Sequence, residues 1–280
     1  MSRSKNRTTA KNLAGRVVVV TGAGSGIGRE LALLCGRAGA RLAVCDMNPA
    51  GLAQTVEDAR AAGAEVLSQT VDVSDPEQMT SFAKEVADHF GAVDLLINNA
   101  GIAVIGGILD TTLADWDRLI GVNLMGVVHG NAAFVPAMVE RGSGHVVNVA
   151  SAAGMLANPQ LGAYSTTKFA VFGMSEALRM ELKPHGISVT AVCPGIINTA
   201  ITHNSPYRGG NEDARRAKTS AAYAKRGYTA ERAAKNILHA IDRDKAVAPI
   251  APEAHVMYVL SRVAPPVARW VSAKLANIAK

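Results

Sequence analysis

Short apolar runs without polar alternation recur along the chain, each followed by a longer segment with helical spacing. The first, Arg16-Val17-Val18-Val19-Val20-Thr21, is the β-branched run expected of a strand covered on both faces in a parallel sheet. Arg41–Cys45, Glu65–Val71, Val93–Ile97, His145–Ala150, Ser188–Cys193 and Lys245–Ile250 read as further strands. Between them, Arg29–Arg37, Pro49–Ala62, Asp115–Glu140 and Leu161–Lys183 read as helices. So does a segment capped by Ser74, with Pro76 just inside, that runs to Phe90. Pro136 is expected to kink the last turns of the longest helix. Repeated β-α units with short connections specify an α/β fold: a single doubly wound parallel sheet, helices on both faces, and ligands along the C-terminal edge of the strands.

Composition and charge add limits. A 280-residue chain that is 49% hydrophobic and 19% charged has ample core for one soluble globular domain, expected over residues 13–250, with a helical extension over 251–280. The net charge of +6 would suggest a nucleic-acid partner, but Arg3, Lys5, Arg7 and Lys11 supply four of those charges from a polar tail, residues 1–12, that has no acids. That tail is expected to be disordered and not a secretory signal. No nucleic-acid partner is expected, because no patterned aromatic or recognition element accompanies the charge. No stretch is expected to reach the roughly 18 to 20 apolar residues that span a bilayer. Cys35, Cys45 and Cys193 form no CxxC or metal-ligand pair; they read as reduced, buried packing residues of a cytoplasmic protein with no metal.

Candidate chemistry sits at the predicted strand ends. The first strand opens into Gly22-Ala23-Gly24-Ser25-Gly26-Ile27-Gly28 and then a helix. Backbone amides in such a turn can approach a pyrophosphate, whose charge is favoured at a helix N-terminus. Asp46 ends the second strand, where an acid can accept hydrogen bonds from an adenosine ribose and repel a 2′-phosphate. No basic residue follows at Met47 or Asn48, and Ser25 fills the turn position where a phosphate-binding Arg could sit, so NAD is expected over NADP. Asp46 as an ordinary cap of the next helix is the alternative. Asn123 lies among Val122, Leu124 and Met125, and must be either a structural bridge or a site group. Ser151 stands at the C-terminal end of a strand. Tyr164 and Lys168 are four apart and share a helix face, where the ammonium is expected to lower the phenol's pKa and suit it to acid–base work.

Taken together, Thr21-Gly22-x-x-x-Gly26-x-Gly28, Asn98-Asn99-Ala100-Gly101, Asn123, Ser151, Tyr164-x-x-x-Lys168 and Pro194-Gly195 with Thr199 resemble the short-chain dehydrogenase/reductase family over about Leu13 to Pro249. The resemblance implies a Rossmann-like fold and an NAD-dependent oxidoreductase acting on a CH–OH group. In that family pattern Tyr164 exchanges the proton with the substrate oxygen, and Ser151 hydrogen-bonds the same oxygen. Lys168 binds the nicotinamide ribose, and Asn123 keeps an ordered water linking Lys168 to solvent. Gly22, Ser25 and Ile27 line the pyrophosphate, Asp46 the adenosine ribose, Asp72 and Val73 the adenine, and Asn99 the adenosine ribose region. Ile197 and Thr199 contact the carboxamide, and Gly26, Gly28, Ala100, Gly101, Pro194 and Gly195 complete the cofactor path. An NADPH-dependent carbonyl reductase and a non-catalytic nucleotide-sensing protein are the competing readings.

The family's substrate pocket lies between the segments after Ser151 and after Pro194. Ala153, Gly154, Met155, Leu156 and Leu161 supply an apolar wall, which suggests a lipid-, terpenoid- or steroid-like alcohol or ketone. The second segment, a lid over about 195–228, carries Arg208, Arg215, Arg216, Lys218, Lys225 and Arg226. These are expected to form a solvated face, with an anionic substrate as the alternative. Beyond it, Val256, Met257, Val259, Leu260 and Val263 suggest one helix, broken by Pro265-Pro266. Val267, Trp270, Val271, Leu275 and Ile278 mark the face of a second, expected to pack on the protein or its oligomer, with weak membrane-surface contact as the alternative. The resemblance implies a homodimer or homotetramer built through the helices that contain Asn123 and Tyr164.

Overall fold

A seven-stranded, wholly parallel sheet organises the computed structural model, which describes residues 13–278. Its strands are β1 (Val17–Thr21), β2 (Arg41–Asp46), β3 (Val66–Thr70), β4 (Leu95–Asn98), β5 (Gly144–Val149), β6 (Ile187–Pro194) and β7 (Val247–Ile250), in the order β3-β2-β1-β4-β5-β6-β7. The helices are α1 (Gly26–Arg37), α2 (Pro49–Ala61), α3 (Pro76–Phe90), α4 (Leu113–Leu119), α5 (Gly126–Arg141), α6 (Gly162–Leu182), α7 (Ile201–Asn204), α8 (Glu212–Arg226), α9 (Ala230–Asp242), α10 (Pro252–Val263) and α11 (Pro265–Ile278). The chain's direction of winding reverses between β1 and β4. A crevice therefore opens at the C-terminal ends of these strands.

Alternate strand residues feed opposite layers. Val18, Val20, Leu42, Val44 and Ile97 pack with Leu31 of α1, Leu52 of α2 and Ile237 of α9. Val17, Val19, Leu96 and Val146 pack with Met79 and Phe82 of α3 and with Phe134 and Met138 of α5. Each fully buried side chain of this size stabilises the fold by about 2 kcal/mol. With both faces covered, the central strands β1 and β4 show no polar alternation and are apolar runs in the sequence, whereas the edge strand β3 is partly exposed and carries Ser68, Gln69 and Thr70.

Three expectations are corrected. The α3 cap is Asp75, not Ser74: its carboxylate accepts from the Glu77 and Gln78 amides at 2.9 and 3.2 Å, and the Ser74 hydroxyl instead donates to Asp72. The long helix spans Leu113–Arg141 and contains a π-helical turn at Ile120–Met125, centred on Asn123 and far from Pro136. That helix is also long and apolar enough, by length and composition, to cross a bilayer, contrary to expectation. Here it lies on the sheet and carries the fully buried amide of Asn123.

The C-terminal helices α10 and α11 are separated at Ala264, directly before Pro265, as the sequence led one to expect. On α11, however, Val267 and Trp270 are 49% and 60% exposed, while Ala268 is buried and the Ser272 hydroxyl donates to the Ala157 carbonyl at 2.5 Å. Ala268 and Ser272 of α11 dock on the domain, while Val267 and Trp270 point outward. The expected disorder of residues 1–12 lies outside the described residues.

Candidate active site

The crevice is a cleft of about 450 Å³ that runs from β2 across the β1–β4 boundary to the lid. Its floor is built first by the glycine-rich turn. Gly22 has φ 66, and a side chain there would run into the Ala100 backbone; one at Gly28 would overlap the Gly22 carbonyl. Both positions therefore exclude larger residues. Thr21 and Asn99 then lock the turn to β4. The Thr21 hydroxyl accepts from the Asn99 and Ala100 amides, both at 3.0 Å, and the Asn99 side-chain amide donates to the Thr21 and Gly22 carbonyls at 2.9 and 3.1 Å. Asn99, expected near the adenosine ribose, thus spends its amide on the turn itself.

At the far end, Asp46 accepts from the Gly24 amide at 2.8 Å and from the Asn48 amide at 2.8 Å. The cap of α2 is Asn48, whose side chain accepts from the Ala50 and Gly51 amides. Asp46 is therefore not that cap, and it faces the cleft beside Met47. Asp72 and Val73 line the same end, with Asp72 held by the Ser74 amide and hydroxyl at 2.9 and 2.7 Å. Gly22, Ser25, Gly26 and Ile27 line the middle, with Asn99, Ala100 and Gly101 opposite. Pro194, Gly195, Ile197 and Thr199 close it from the lid side, where Thr199 packs against Gly26. Gly28 lies beneath, as packing between α1 and the turn.

The reacting end gathers Ser151, Tyr164 and Lys168. Ser151 caps a short 3₁₀ turn, Ala152–Gly154, accepting from the Ala153 amide at 3.1 Å, and it hydrogen-bonds the Tyr164 hydroxyl. Lys168, one turn along α6 from Tyr164, is 3% exposed; its ammonium donates to the Val149 carbonyl at 2.9 Å and lies 5.8 Å from the Tyr164 ring centre. Asn123 approaches Lys168 across Gly101. Its side chain bridges Ile102, accepting from that amide at 2.9 Å and donating to that carbonyl at 3.0 Å, and it donates to Thr167 at 3.1 Å. The Asn123 side chain thus forms a structural bridge, and it does so beside Lys168. The π-helical turn gives it that reach, and such turns concentrate at functional sites.

Electrostatics correct one expectation. Burial pushes the Tyr164 phenol up to about 12, with the Ser151 hydrogen bond opposing, while burial pushes Lys168 down to about 8. The anticipated lowering of Tyr164 by Lys168 is thus absent from the chain alone. Desolvation outweighs a charge that is itself poorly tolerated. The three cysteines are buried, and burial raises each thiol, which fits packing residues.

The predicted apolar wall is only partly in place. Leu161 lines the cleft, but Ala153 and Met155 do not. Met155 packs instead beneath it with Val171, Phe172 and Ala254, because the 3₁₀ turn rotates it inward. Ile102, Val104, Ile105 and Ile201 supply the apolar surface. Sequence reasoning missed Arg118 of α4 and Tyr223 of α8, both on the cleft. A single aromatic in the otherwise polar α8 was the signal for Tyr223.

The lid arginines serve neither expected purpose. Arg208 makes a two-pronged pair with the buried Asp115 at 2.8 and 3.0 Å, holding that carboxyl below its usual range. Arg215 donates to the Arg208 carbonyl and to Gln160, and Arg216 stacks on the buried Tyr207 ring at 4.8 Å. Arg226 pairs with Glu253 of α10. These cations staple the lid to the domain.

A doubly wound α/β protein with a cleft of the nucleotide-binding kind is the class that this fold defines. The sequence model of the short chain dehydrogenase family matches residues 16–208. "Probable oxidoreductase EphD" of Mycobacterium tuberculosis is 41% identical over 255 residues, covering 89% of this chain but only 43% of its own length. Estradiol 17-beta-dehydrogenase 11 of Macaca fascicularis is 38% identical over 197 residues, covering 69% of this chain and 66% of its own. A short chain dehydrogenase/reductase from Burkholderia phymatum, solved in complex with NAD, superposes with a TM-score of 0.83 at 32% identity, covering 89% of this chain and 93% of its own. A metagenomic short-chain oxidoreductase solved with NADP gives 0.63 at 35%, covering 65% and 83%. The chain belongs to the short-chain dehydrogenase/reductase family.

Proposed function

We propose that this chain is an NAD-dependent oxidoreductase that moves a hydride between nicotinamide and a secondary alcohol or ketone of apolar, lipid- or steroid-like character. The observation that carries the reading is the meeting of the Ser151 hydroxyl, the Tyr164 phenol and the buried Lys168 at one end of a cleft whose other end is the glycine-rich turn and Asp46. The residues fit a dinucleotide: free space over Gly22 and Gly26, an α-helix N-terminus behind them, and a carboxylate at the far end. When bound, nicotinamide supplies or accepts the hydride. Tyr164 gives its proton to the carbonyl oxygen in reduction, or removes it from the hydroxyl in oxidation. Ser151 donates a hydrogen bond to the same oxygen and stabilises its developing charge. Lys168 holds a positive charge one helical turn from the phenol, and that charge favours the ionised form.

Asp46 supports NAD over NADP, since its carboxylate would repel a ribose 2′-phosphate. The Burkholderia phymatum relative's NAD complex favours the same assignment, and the metagenomic relative's NADP makes it worth testing. Apolar substrates are favoured by Ile102, Val104, Ile105, Leu161 and Ile201 along the cleft, and the steroid named in the macaque relative agrees. A homo-oligomer formed through the long helix and α6 is part of the reading; Ile120, Met125 and Phe169 on those helices are exposed and apolar.

Thermal unfolding with NAD and with NADP at equal concentration tests the cofactor assignment. A ligand at about a hundred times its dissociation constant stabilises the native state by roughly 2.7 kcal/mol. NAD is expected to raise the midpoint and NADP to raise it far less; the reverse order would overturn the assignment. In Asp46→Ala the NAD shift should shrink, because hydrogen bonds to a charged acceptor are worth about 1.5 to 3 kcal/mol.

A further inference from the structure

The C-terminal extension enters the lid through one side chain. Glu253, in the first turn of α10, accepts from the Ile196 amide at 2.7 Å with one oxygen and pairs with Arg226 through the other. Ile196 begins the lid, directly after Pro194-Gly195, and Arg226 is the last residue of α8. One carboxylate, 18% exposed, therefore holds both ends of the segment that covers the cleft.

Two features of the backbone are shaped to this contact. Gly195 passes so close to the Glu253 carboxylate that any side chain at residue 195 would overlap it. Ala251, which turns the chain from β7 into α10, has φ 84 and ψ 150 and is buried. That conformation is essentially reserved for glycine and costs about 1 to 3 kcal/mol, a strain that persists only where surrounding structure imposes it. The strained joint directs Glu253 at Gly195. Three residues before Arg226, and so on the same side of α8, Tyr223 lines the cleft together with Tyr164.

We propose that Glu253 is a positioning residue that clasps the two ends of the lid and thereby holds Tyr223 over the reacting end, where Tyr223 selects the substrate. Tyr223 brings an aromatic ring and one hydroxyl to the lid side of the cleft, opposite the apolar surface of Ile102, Val104 and Leu161. That pairing favours a flat apolar substrate with a second polar group near the reacting oxygen. The effect on turnover rests on the oxidoreductase reading proposed above; the clasp itself does not.

The test compares Glu253→Gln, Arg226→Met, their double variant and Tyr223→Phe with the wild-type chain. Glu253→Gln keeps an acceptor for Ile196 and loses only the ion pair, so the fold and the thermal midpoint are expected to hold. Trypsin cleavage after Arg215, Arg216 and Lys218, sites that every variant keeps, should accelerate by about threefold to fivefold in both single clasp variants, the scale of a partly exposed ion pair. The double variant should be no faster than either, as for two residues acting through one interaction. With an apolar secondary alcohol and NAD, the clasp variants should raise KM with kcat little changed. Tyr223→Phe should raise KM for substrates with a second polar group near the reacting carbon but not for a plain alicyclic alcohol. Additive effects, or lid cleavage unchanged in both single variants, would overturn the clasp. Equal KM changes for both substrate types in Tyr223→Phe would overturn its selecting role. If no alcohol is turned over with either cofactor, the oxidoreductase reading fails, while the trypsin comparison still decides the clasp.

Discussion

Tyr164→Phe is expected to lower kcat by about a thousandfold, within the range of roughly 10² to 10⁴ for a positioned proton donor. It should leave the NAD-induced rise in thermal midpoint intact. The substitution removes one oxygen. The ring, its packing beside Ala163 and Leu119, and the Lys168 contact with Val149 all remain. What is lost is the proton and the hydrogen bond from Ser151. The pH profile separates this role from a merely structural one. In the chain alone the phenol titrates near 12, so the fraction able to accept a proton is small and increases with pH. Alcohol oxidation by the wild type should therefore accelerate with pH up to about 8, where Lys168 begins to lose its charge, and the residual rate of the Phe variant should lose that slope. A Phe variant within tenfold of wild type would remove Tyr164 from the mechanism.

The distinction between what neighbours in sequence can say and what burial adds runs through the whole molecule. The central strands were legible because they are covered on both faces, and β1 and β4 are almost unbroken runs of Val, Leu and Ile; the edge strand β3, VLSQT, is only partly buried. Observed ends differ from expected ones by one or two residues, as with Val66–Thr70 against Glu65–Val71. The glycine-rich turn was legible because its chemistry is local: strand, turn and helix follow one another in the chain. Side chains that act across distance were not legible. Asp115 and Arg208 are 93 positions apart, and no spacing rule connects Glu253 to Ile196. The cap of α3 was misplaced by one residue because Ser74 and Asp75 are adjacent acceptors, and only the turn at Asp72 decides which one faces the helix. The π-helical turn was hidden because the apolar pattern continues through it. Met155 was assigned to the wrong side because a 3₁₀ turn does not keep the helical period on which the reading relied. For Tyr164, sequence showed the neighbouring charge but not the depth of the site.

Lys168→Met is expected to produce the opposite signs for stability and activity. The ammonium titrates near 8 in the folded chain against an ordinary value of 10.5, with burial as the main cause. Between those two values the unfolded chain binds more protons than the folded one, so stability contributed by this group rises with pH across that window. Below pH 8 the full penalty applies, on the order of 3 kcal/mol at about 1.4 kcal/mol per pKa unit. Met has similar length and no charge to desolvate. It forfeits the hydrogen bond to the Val149 carbonyl, worth about 1 to 3 kcal/mol, so at pH 7 the cofactor-free variant should be equal to or more stable than wild type. The rise in wild-type stability between pH 8 and 10.5 should be absent from the variant. Both chains should lose stability above pH 10, because the Tyr164 phenol is held protonated to about 12 in the folded state and to about 10 in the unfolded one. Turnover should fall by a factor of about a hundred or more, as the charge that favours the phenolate is gone. Denaturation followed at pH 7 and pH 9.5, beside kcat, tests both halves. A variant much less stable than wild type at pH 7 would show that Lys168 is held for packing. Gained or unchanged stability with lost turnover would show that an unfavourable buried cation is kept for the reaction.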